Sequence, residues 1–178
     1  HGHSPAVVTG KPVELYGTRG RDSATGRGVL YVCREILRDV GAQVHGSRFA
    51  IQGFGNVGTH ATRLLYEDGG VIVGVSDAQG AVANPDGLDV PALFEHVKVN
   101  GTVKGFPGQS LARDQLLALD CDVLVTAALE GALTAQNAGE VRARLIVEGS
   151  NAPTLPEADS IFERRGISIE HCPSSIDG

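Results

Sequence analysis

The chain has 178 residues, of which 42% are hydrophobic and 20% charged, and a formal net charge of −6. That composition fits one soluble globular domain and excludes both a disordered chain and two domains of ordinary size. Its apolar stretches are strand-sized, no signal peptide is visible, and its basic residues are scattered, so neither a membrane nor a nucleic acid is expected as a partner. Residues 1 to 22 are rich in Gly, Pro and Arg and are read as an irregular leading segment. Thr25 to Val40 places Val29, Val32, Cys33, Ile36, Leu37 and Val40 at helical spacing, with Gly41 as its stop. Arg48 to Gln52 reads as a buried strand, Asn56 to Glu67 as a helix ended by Gly69-Gly70, and Val71 to Ser76 as a second strand.

Residues 78 to 88 are expected to form a loop, with Asn84-Pro85-Asp86-Gly87 as its turn. A helix follows from Val90 to Val99, entered through Pro91, then a loop holding Gly105, Pro107 and Gly108. The remaining expectations are a short helix Arg113 to Leu119, a strand Cys121 to Ala127, a helix Thr134 to Arg142 and a strand Arg144 to Glu148. A helix Pro156 to Arg165 and a last strand Ile167 to Ile169 complete the set. Short apolar strands alternating with helices predict an α/β fold, a doubly wound, mostly parallel, Rossmann-like sheet.

The strongest local motif is Gly53-Phe54-Gly55-Asn56-Val57-Gly58, which follows one predicted strand and opens a helix. Gly53 permits the tight turn, Gly55 lets backbone approach a pyrophosphate, and Gly58 lets the helix pack on the strand. The helix N-terminus offers unpaired N–H groups and a partial positive charge to phosphate. An ordinary strand-to-helix turn is the alternative. Asp77 ends the second strand, 19 residues after Gly58, where a ribose-binding acid belongs. Such a carboxylate accepts from the ribose hydroxyls and repels a 2′-phosphate, which favours NAD over NADP. The alternative is an Asp that caps the turn Asp77-Ala78-Gln79-Gly80, and Arg48 or Lys104 could still meet a 2′-phosphate.

The three cysteines are far apart and form neither a disulfide framework nor a metal pattern. Cys33 and Cys121 lie in apolar runs and read as buried thiols, in keeping with an intracellular chain. His1, His3, His45, His60, His96 and His171 have no metal spacing, so no metal site is expected. The chain starts at His1 and contains no Met, which reads as a start inside an open reading frame, with part of the function expected upstream.

Several collinear segments resemble one family. They are Val8-Thr9-Gly10-Lys11-Pro12, Gly20-Arg21-Asp22-Ser23-Ala24-Thr25-Gly26-Arg27-Gly28-Val29, the run Ile51 to Gly58, Asp120 to Leu124, Ala128-Leu129-Glu130-Gly131-Ala132-Leu133-Thr134, and Val147-Glu148-Gly149-Ser150-Asn151-Ala152-Pro153-Thr154. These look like the C-terminal, dinucleotide-binding domain of glutamate dehydrogenases, in the glutamate, leucine, phenylalanine and valine dehydrogenase superfamily. The resemblance implies a domain from residue 23 to 178, preceded by a missing substrate domain. It implies NAD, with NADP as the other possibility, and reversible oxidative deamination of L-glutamate to 2-oxoglutarate and ammonia. Thr25 would then hydrogen-bond the nicotinamide carboxamide and Asn151 would contact the same end. Asn56 and Val57 would flank the pyrophosphate, and Ala127 and Ala128 would leave room for the adenosine-side ribose. Arg21 either belongs to the cofactor site or pairs locally with Asp22.

The resemblance places the catalytic lysine and aspartate in the absent domain, so no catalytic residue is assigned among Lys11, Lys98 and Lys104. It further implies an amino-acid substrate held through that domain and a homohexameric whole protein; a cytoplasmic setting is the default expectation, with the mitochondrial matrix as the alternative. Two features depart from the family pattern. Tyr16 stands where a small glycine is usual, and the tail His171 to Gly178 lacks the Asn-and-Gly-rich continuation. A leucine, valine or phenylalanine dehydrogenase is one alternative. A catalytically silent, nucleotide-sensing subunit is another.

Overall fold

Four runs in this sequence have consecutive apolar residues at their centres, and such strands are stable only when both of their faces are covered. In the computed structural model, the described residues are 21–128, 131–150 and 153–172, with side chains described from Thr25 onward. The four runs form β1 (Arg48–Gln52), β2 (Val71–Ser76), β5 (Val123–Thr126) and β6 (Leu145–Glu148). Together with β3 (Ala81–Ala83), β4 (Gln109–Leu111) and β7 (Ser168–His171) they build one seven-stranded sheet of order β4-β3-β2-β1-β5-β6-β7. β2, β1, β5, β6 and β7 run parallel, and β3 and β4 are antiparallel additions at one edge.

Alternate strand residues feed two cores. Phe49, Ile51, Ile72, Val75, Val123, Val125, Leu145 and Val147 pack with Val29, Cys33 and Leu37 of α1 (Arg21–Asp39), Ala61 and Leu65 of α2 (Asn56–Glu67), and Leu93 of α3 (Val90–Asn100). The other face carries Ala50, Val73, Leu124 and Ile146. These meet Leu116 and Leu117 of the 3₁₀ helix Arg113–Ala118, Leu133, Ala138 and Val141, and Ala158 and Phe162 of α4 (Pro156–Arg165). This is a doubly wound, Rossmann-like α/β fold. The chain leaves β1 for β2 on one side and β5 lies on the other, so the strand order reverses between β1 and β5. Ligands of such sheets bind at the carboxyl ends of the strands on either side of that switch.

Helix ends follow local chemistry. Asp89 caps α3 by accepting from the Ala92 N–H at 3.0 Å, Pro91 sits in its first turn, and Gly101 closes it in the left-handed region at φ +71°. α1 starts at Arg21, four residues before the sequence reading placed it. Cys33 and Cys121 are buried, and burial pushes both thiols up to about 12. Among the described residues, no helix is long and apolar enough to cross a membrane, and no cluster of three metal-ligating side chains occurs.

Three expected segments differ. The loop expected over residues 78 to 88 contains β3, and the glycine-rich loop before Arg113 contains β4. Each strand has only three residues, too few to show a period of two. The helix expected from Thr134 to Arg142 is a series of turns. Asn137 diverts the backbone there: its Oδ1 accepts from the Thr134 N–H at 2.8 Å and its Nδ2 donates to the Ala132 carbonyl at 2.9 Å. Such bonds compete with the helical ladder. Arg165 then clamps the segment, donating to the carbonyls of Ala138 at 2.5 Å and Val141 at 2.6 Å. Replacing Arg165 with Gln is expected to speed amide hydrogen exchange across residues 134–142 and to cost about 1–3 kcal/mol in urea unfolding. Unchanged exchange in that segment would show that the clamp is dispensable.

Candidate functional site

β1 ends where Gly53 turns the chain at φ +97°, a conformation that favours glycine. The Gly53 N–H donates to the Ser76 carbonyl at 3.0 Å, which ties the turn to the end of β2. A Cβ on Gly53 would lie 2.8 Å from the backbone of Ala127 and Ala128, just past the end of β5. A Cβ on Gly58 would lie 1.8 Å from the Gly53 carbonyl oxygen. Both positions therefore exclude side chains for reasons internal to the fold. Gly55 differs: among the described residues nothing lies within 4 Å of its Cβ position. It is the N-cap of α2 and gives no side-chain cap, and the first turn of α2 has no acidic residue. Among the described residues, the first-turn N–H groups and the positive end of the helix are thus left uncapped beside open space.

The remaining sequence-derived positions gather around this turn. Asn56 is exposed at the first residue of α2, and Val57 is half-buried. Gly149, which follows β6, has Val57 and Val29 each 3.1 Å from its Cβ position. Ala127 is held by its N–H donating to the Gln52 carbonyl at 2.7 Å, and Ala128 beyond it is exposed. Thr25 comes close because α1 and α2 touch at Gly26, whose Cβ would sit 2.5 Å from the His60 Cβ. The Thr25 carbonyl accepts from the Cys172 thiol at 3.6 Å, which joins the end of β7 to the start of α1. The side chain of Arg21, and Asn151 altogether, lie outside the described residues.

Asp77 follows β2 at the same edge, and its carboxylate is occupied from within. Oδ1 accepts from the N–H groups of Gln79 at 2.8 Å and Gly80 at 3.1 Å. Oδ2 accepts from the Thr102 hydroxyl at 2.6 Å and the Val103 N–H at 2.7 Å. The turn-capping alternative is therefore realised, and the carboxylate also anchors residues 102–103. A ribose hydroxyl could gain this acid only by replacing one of those donors. Arg48 does not face this edge: it begins β1 at the opposite end and donates to the carbonyls of Pro85 and Asp120.

Two arrangements had no signal in the sequence. Phe54, inside the glycine turn, packs on Phe94 of α3 with ring centres 5.7 Å apart, and the Arg63 guanidinium sits 5.2 Å over the Phe94 ring. The contact joins residues 40 apart, so no local pattern announces it. Gln52, Thr126 and Glu148 also stand in register at the carboxyl ends of β1, β5 and β6. All three are buried; among the described residues Gln52 Oε1, Thr126 Oγ1 and Glu148 Oε1 have no hydrogen-bond partner, while Glu148 Oε2 meets His171 Nδ1. A separate cleft at the other end of the sheet, lined by His45, Arg142, Arg144 and Arg165 among others, contains none of the cofactor-site residues expected from the sequence.

A model of the glutamate/leucine/phenylalanine/valine dehydrogenases matches residues 17–173. The chain belongs to this dehydrogenase family. It is 49% identical over 166 residues to a glutamate dehydrogenase of Thermotoga maritima, covering 92% of this chain and 40% of that protein. Among solved structures it resembles a hetero-hexameric glutamate dehydrogenase of Thermus thermophilus in a Leu-bound form, with a TM-score of 0.83 and 34% identity. That match covers 96% of this chain and 40% of the other. A glutamate dehydrogenase of Peptoniphilus asaccharolyticus gives a TM-score of 0.71 at 33% identity, covering 92% of this chain and 38% of the other. The chain thus spans about 40% of the length of the dehydrogenases it matches.

Asp77 also supplies a pH test. Burial alone would raise its carboxyl, but the bonds from Thr102, Val103, Gln79 and Gly80 outweigh burial and hold it below the ordinary value. A depressed folded value means stability that is present above the unfolded value, about 3.9, and lost as pH falls through the folded one. Asp77→Asn is expected to lower stability by about 1–3 kcal/mol at pH 7. The gap between the two proteins should narrow as pH falls below about 4. A gap that stays constant down to pH 2, followed by urea unfolding, would contradict the ionised, multiply bonded carboxylate.

Proposed function

We propose that this chain is the nicotinamide-dinucleotide-binding domain of a glutamate dehydrogenase. The observation that carries the reading is the contrast within the glycine turn. Gly53 and Gly58 are required by the packing of the protein on itself, whereas the space beside Gly55 is filled by no atom of the described residues. A cradle of that kind at an uncapped helix N-terminus fits a pyrophosphate. NAD(P), when bound, supplies the hydride-accepting and hydride-donating ring. The residues of this chain bind and orient it.

In this reading Gly53, Gly55, Asn56, Val57 and Gly58 hold the pyrophosphate. Ala127 and Ala128 leave space for the adenosine-side ribose, and Asp77 stands at that end of the site. Thr25, Arg21 and Asn151 belong to the nicotinamide end. NAD is the first cofactor and NADP the second. The whole protein would deaminate L-glutamate reversibly to 2-oxoglutarate and ammonia, as a cytoplasmic homohexamer. Its proton-transferring residues would lie in the domain that precedes this one, so this chain alone binds cofactor without turnover. Glutamate is favoured over leucine, valine or phenylalanine by the 49% identity to a glutamate dehydrogenase. A nucleotide-sensing subunit without turnover is a second reading, favoured by the likeness to a hetero-hexameric relative. It would show as nucleotide binding without activity in the full-length protein.

The decisive variant is Gly55→Val. It places a side chain in open space, so the fold should survive, while the approach of phosphate is blocked. We expect unchanged circular dichroism and an NADH affinity at least about tenfold weaker, a loss of about 1.4 kcal/mol or more, by nicotinamide fluorescence. Gly139→Ala, at another open position remote from the site, serves as the control. Wild-type affinity in folded Gly55→Val would defeat the site assignment.

A further inference from the structure

We propose that Thr102 competes with the cofactor's adenosine ribose for Asp77, and that this competition sets how strongly the chain discriminates NADH from NADPH. The inference rests on the dinucleotide-binding reading above and concerns the adenosine end of that same site.

An ionised carboxylate offers about four lone-pair positions. At Asp77 all four are in use: two by the turn N–H groups of Gln79 and Gly80, one by the Val103 N–H, and one by the Thr102 hydroxyl. A ribose with both hydroxyls free would donate two bonds to an acid in this place. Three of the four resident donors are backbone groups and cannot leave without unmaking the turn at 77–80 or moving residue 103. Only the Thr102 hydroxyl can rotate away. It is also an acceptor for the Lys104 N–H at 3.1 Å, so it links Asp77 to the following residue. The ribose can therefore gain at most one of its two bonds, and gaining it breaks the 2.6 Å Thr102 contact.

Repulsion of a 2′-phosphate is weakened for the same reason. Four donors already spread the negative charge of Asp77. Lys104 adds a cation nearby: Gly80 has the Lys104 Cγ and Cδ each 3.8 Å from its Cβ position, so the lysine stem lies along the turn that Asp77 caps. An ammonium is a compact partner for phosphate. The two effects act in one direction. They lower the advantage of NADH, and they reduce the penalty of the phosphate on NADPH.

The test titrates NADH and NADPH separately into the 178-residue chain and its variants by nicotinamide fluorescence. Wild type is expected to bind the two cofactors with affinities within about tenfold of each other. Thr102→Val keeps the shape but withdraws the competing donor; the preference for NADH should rise at least about fivefold, through tighter NADH binding. Thr102→Ser restores the hydroxyl and should return the wild-type ratio. Lys104→Gln should weaken NADPH more than NADH. Rejection of NADPH by more than tenfold in the wild type would overturn the inference, as would a folded Thr102→Val with an unchanged ratio. If Thr102→Val does not fold, the wild-type ratio and Lys104→Gln decide the matter. Binding of neither cofactor by folded wild type would defeat the dinucleotide-binding reading itself, a result distinct from every failure of the Thr102 inference.

Discussion

The shape of this domain depends on one steric constraint, the contact between residue 58 and the carbonyl of residue 53. With the Cβ position of Gly58 only 1.8 Å from that oxygen, α2 lies against the end of β1 as closely as a backbone allows. Any side chain there would push the helix outward. That displacement would spread, because Ala61 and Leu65 of α2 fill the core over β1 and β2, and α1 touches α2 at Gly26. A second close approach, Gly53 against Ala127 and Ala128, fixes the gap between β1 and β5 at the switch of strand order. Protein interiors are dense enough that such contacts set position rather than merely permit it. The carboxyl edge of the sheet inherits its geometry from these two glycines.

On that edge the domain combines rigid packing with incomplete polar pairing. The turn is backed by Phe54 on Phe94, and the acid after β2 is satisfied four times over. Beneath the β5 and β6 ends, by contrast, Thr126 Oγ1 and Glu148 Oε1 are buried with no hydrogen-bond partner among the described residues, and Glu148 meets only His171 there. Unpaired buried polar groups cost stability, about 1–3 kcal/mol each, and in natural proteins they concentrate where a function requires them. Their position under the segments that carry residues 127–128 and 149–150 fits that pattern.

Much of this was legible from residues alone, for identifiable reasons. β1, α2, β2 and α4 have the bounds the sequence reading assigned, because glycine or proline stands at or beside their ends. The glycine turn was legible because its spacing, the strand before it and the helix after it agree. β3 and β4 were not, since three residues show no period and pairing supplies their structure. The segment 134–142 has the composition of a helix, but a single side chain, Asn137, takes its first backbone groups. Asp77 was found at the right edge, yet its partner Thr102 lies 25 residues on, and no spacing rule joins a carboxylate to a hydroxyl at that range. What sequence conveys poorly is which of two acceptable partners a polar group has already taken.

The two borders of the sheet formed by the described residues have a further consequence, for behaviour at high concentration. Unpaired strand edges are templates for pairing with another copy, and long, flat, apolar edges lead to aggregation. Here one border is β4, three residues with Gln109 and Ser110 exposed, and the other is β7, with Ser168, Glu170 and His171 exposed. Both borders are short, and β7 carries a charge. The apolar, aggregation-prone strands are shut inside the sheet, where no second molecule can reach their backbone. The domain can therefore keep a strongly hydrophobic centre without offering a neighbouring copy a place to add a strand.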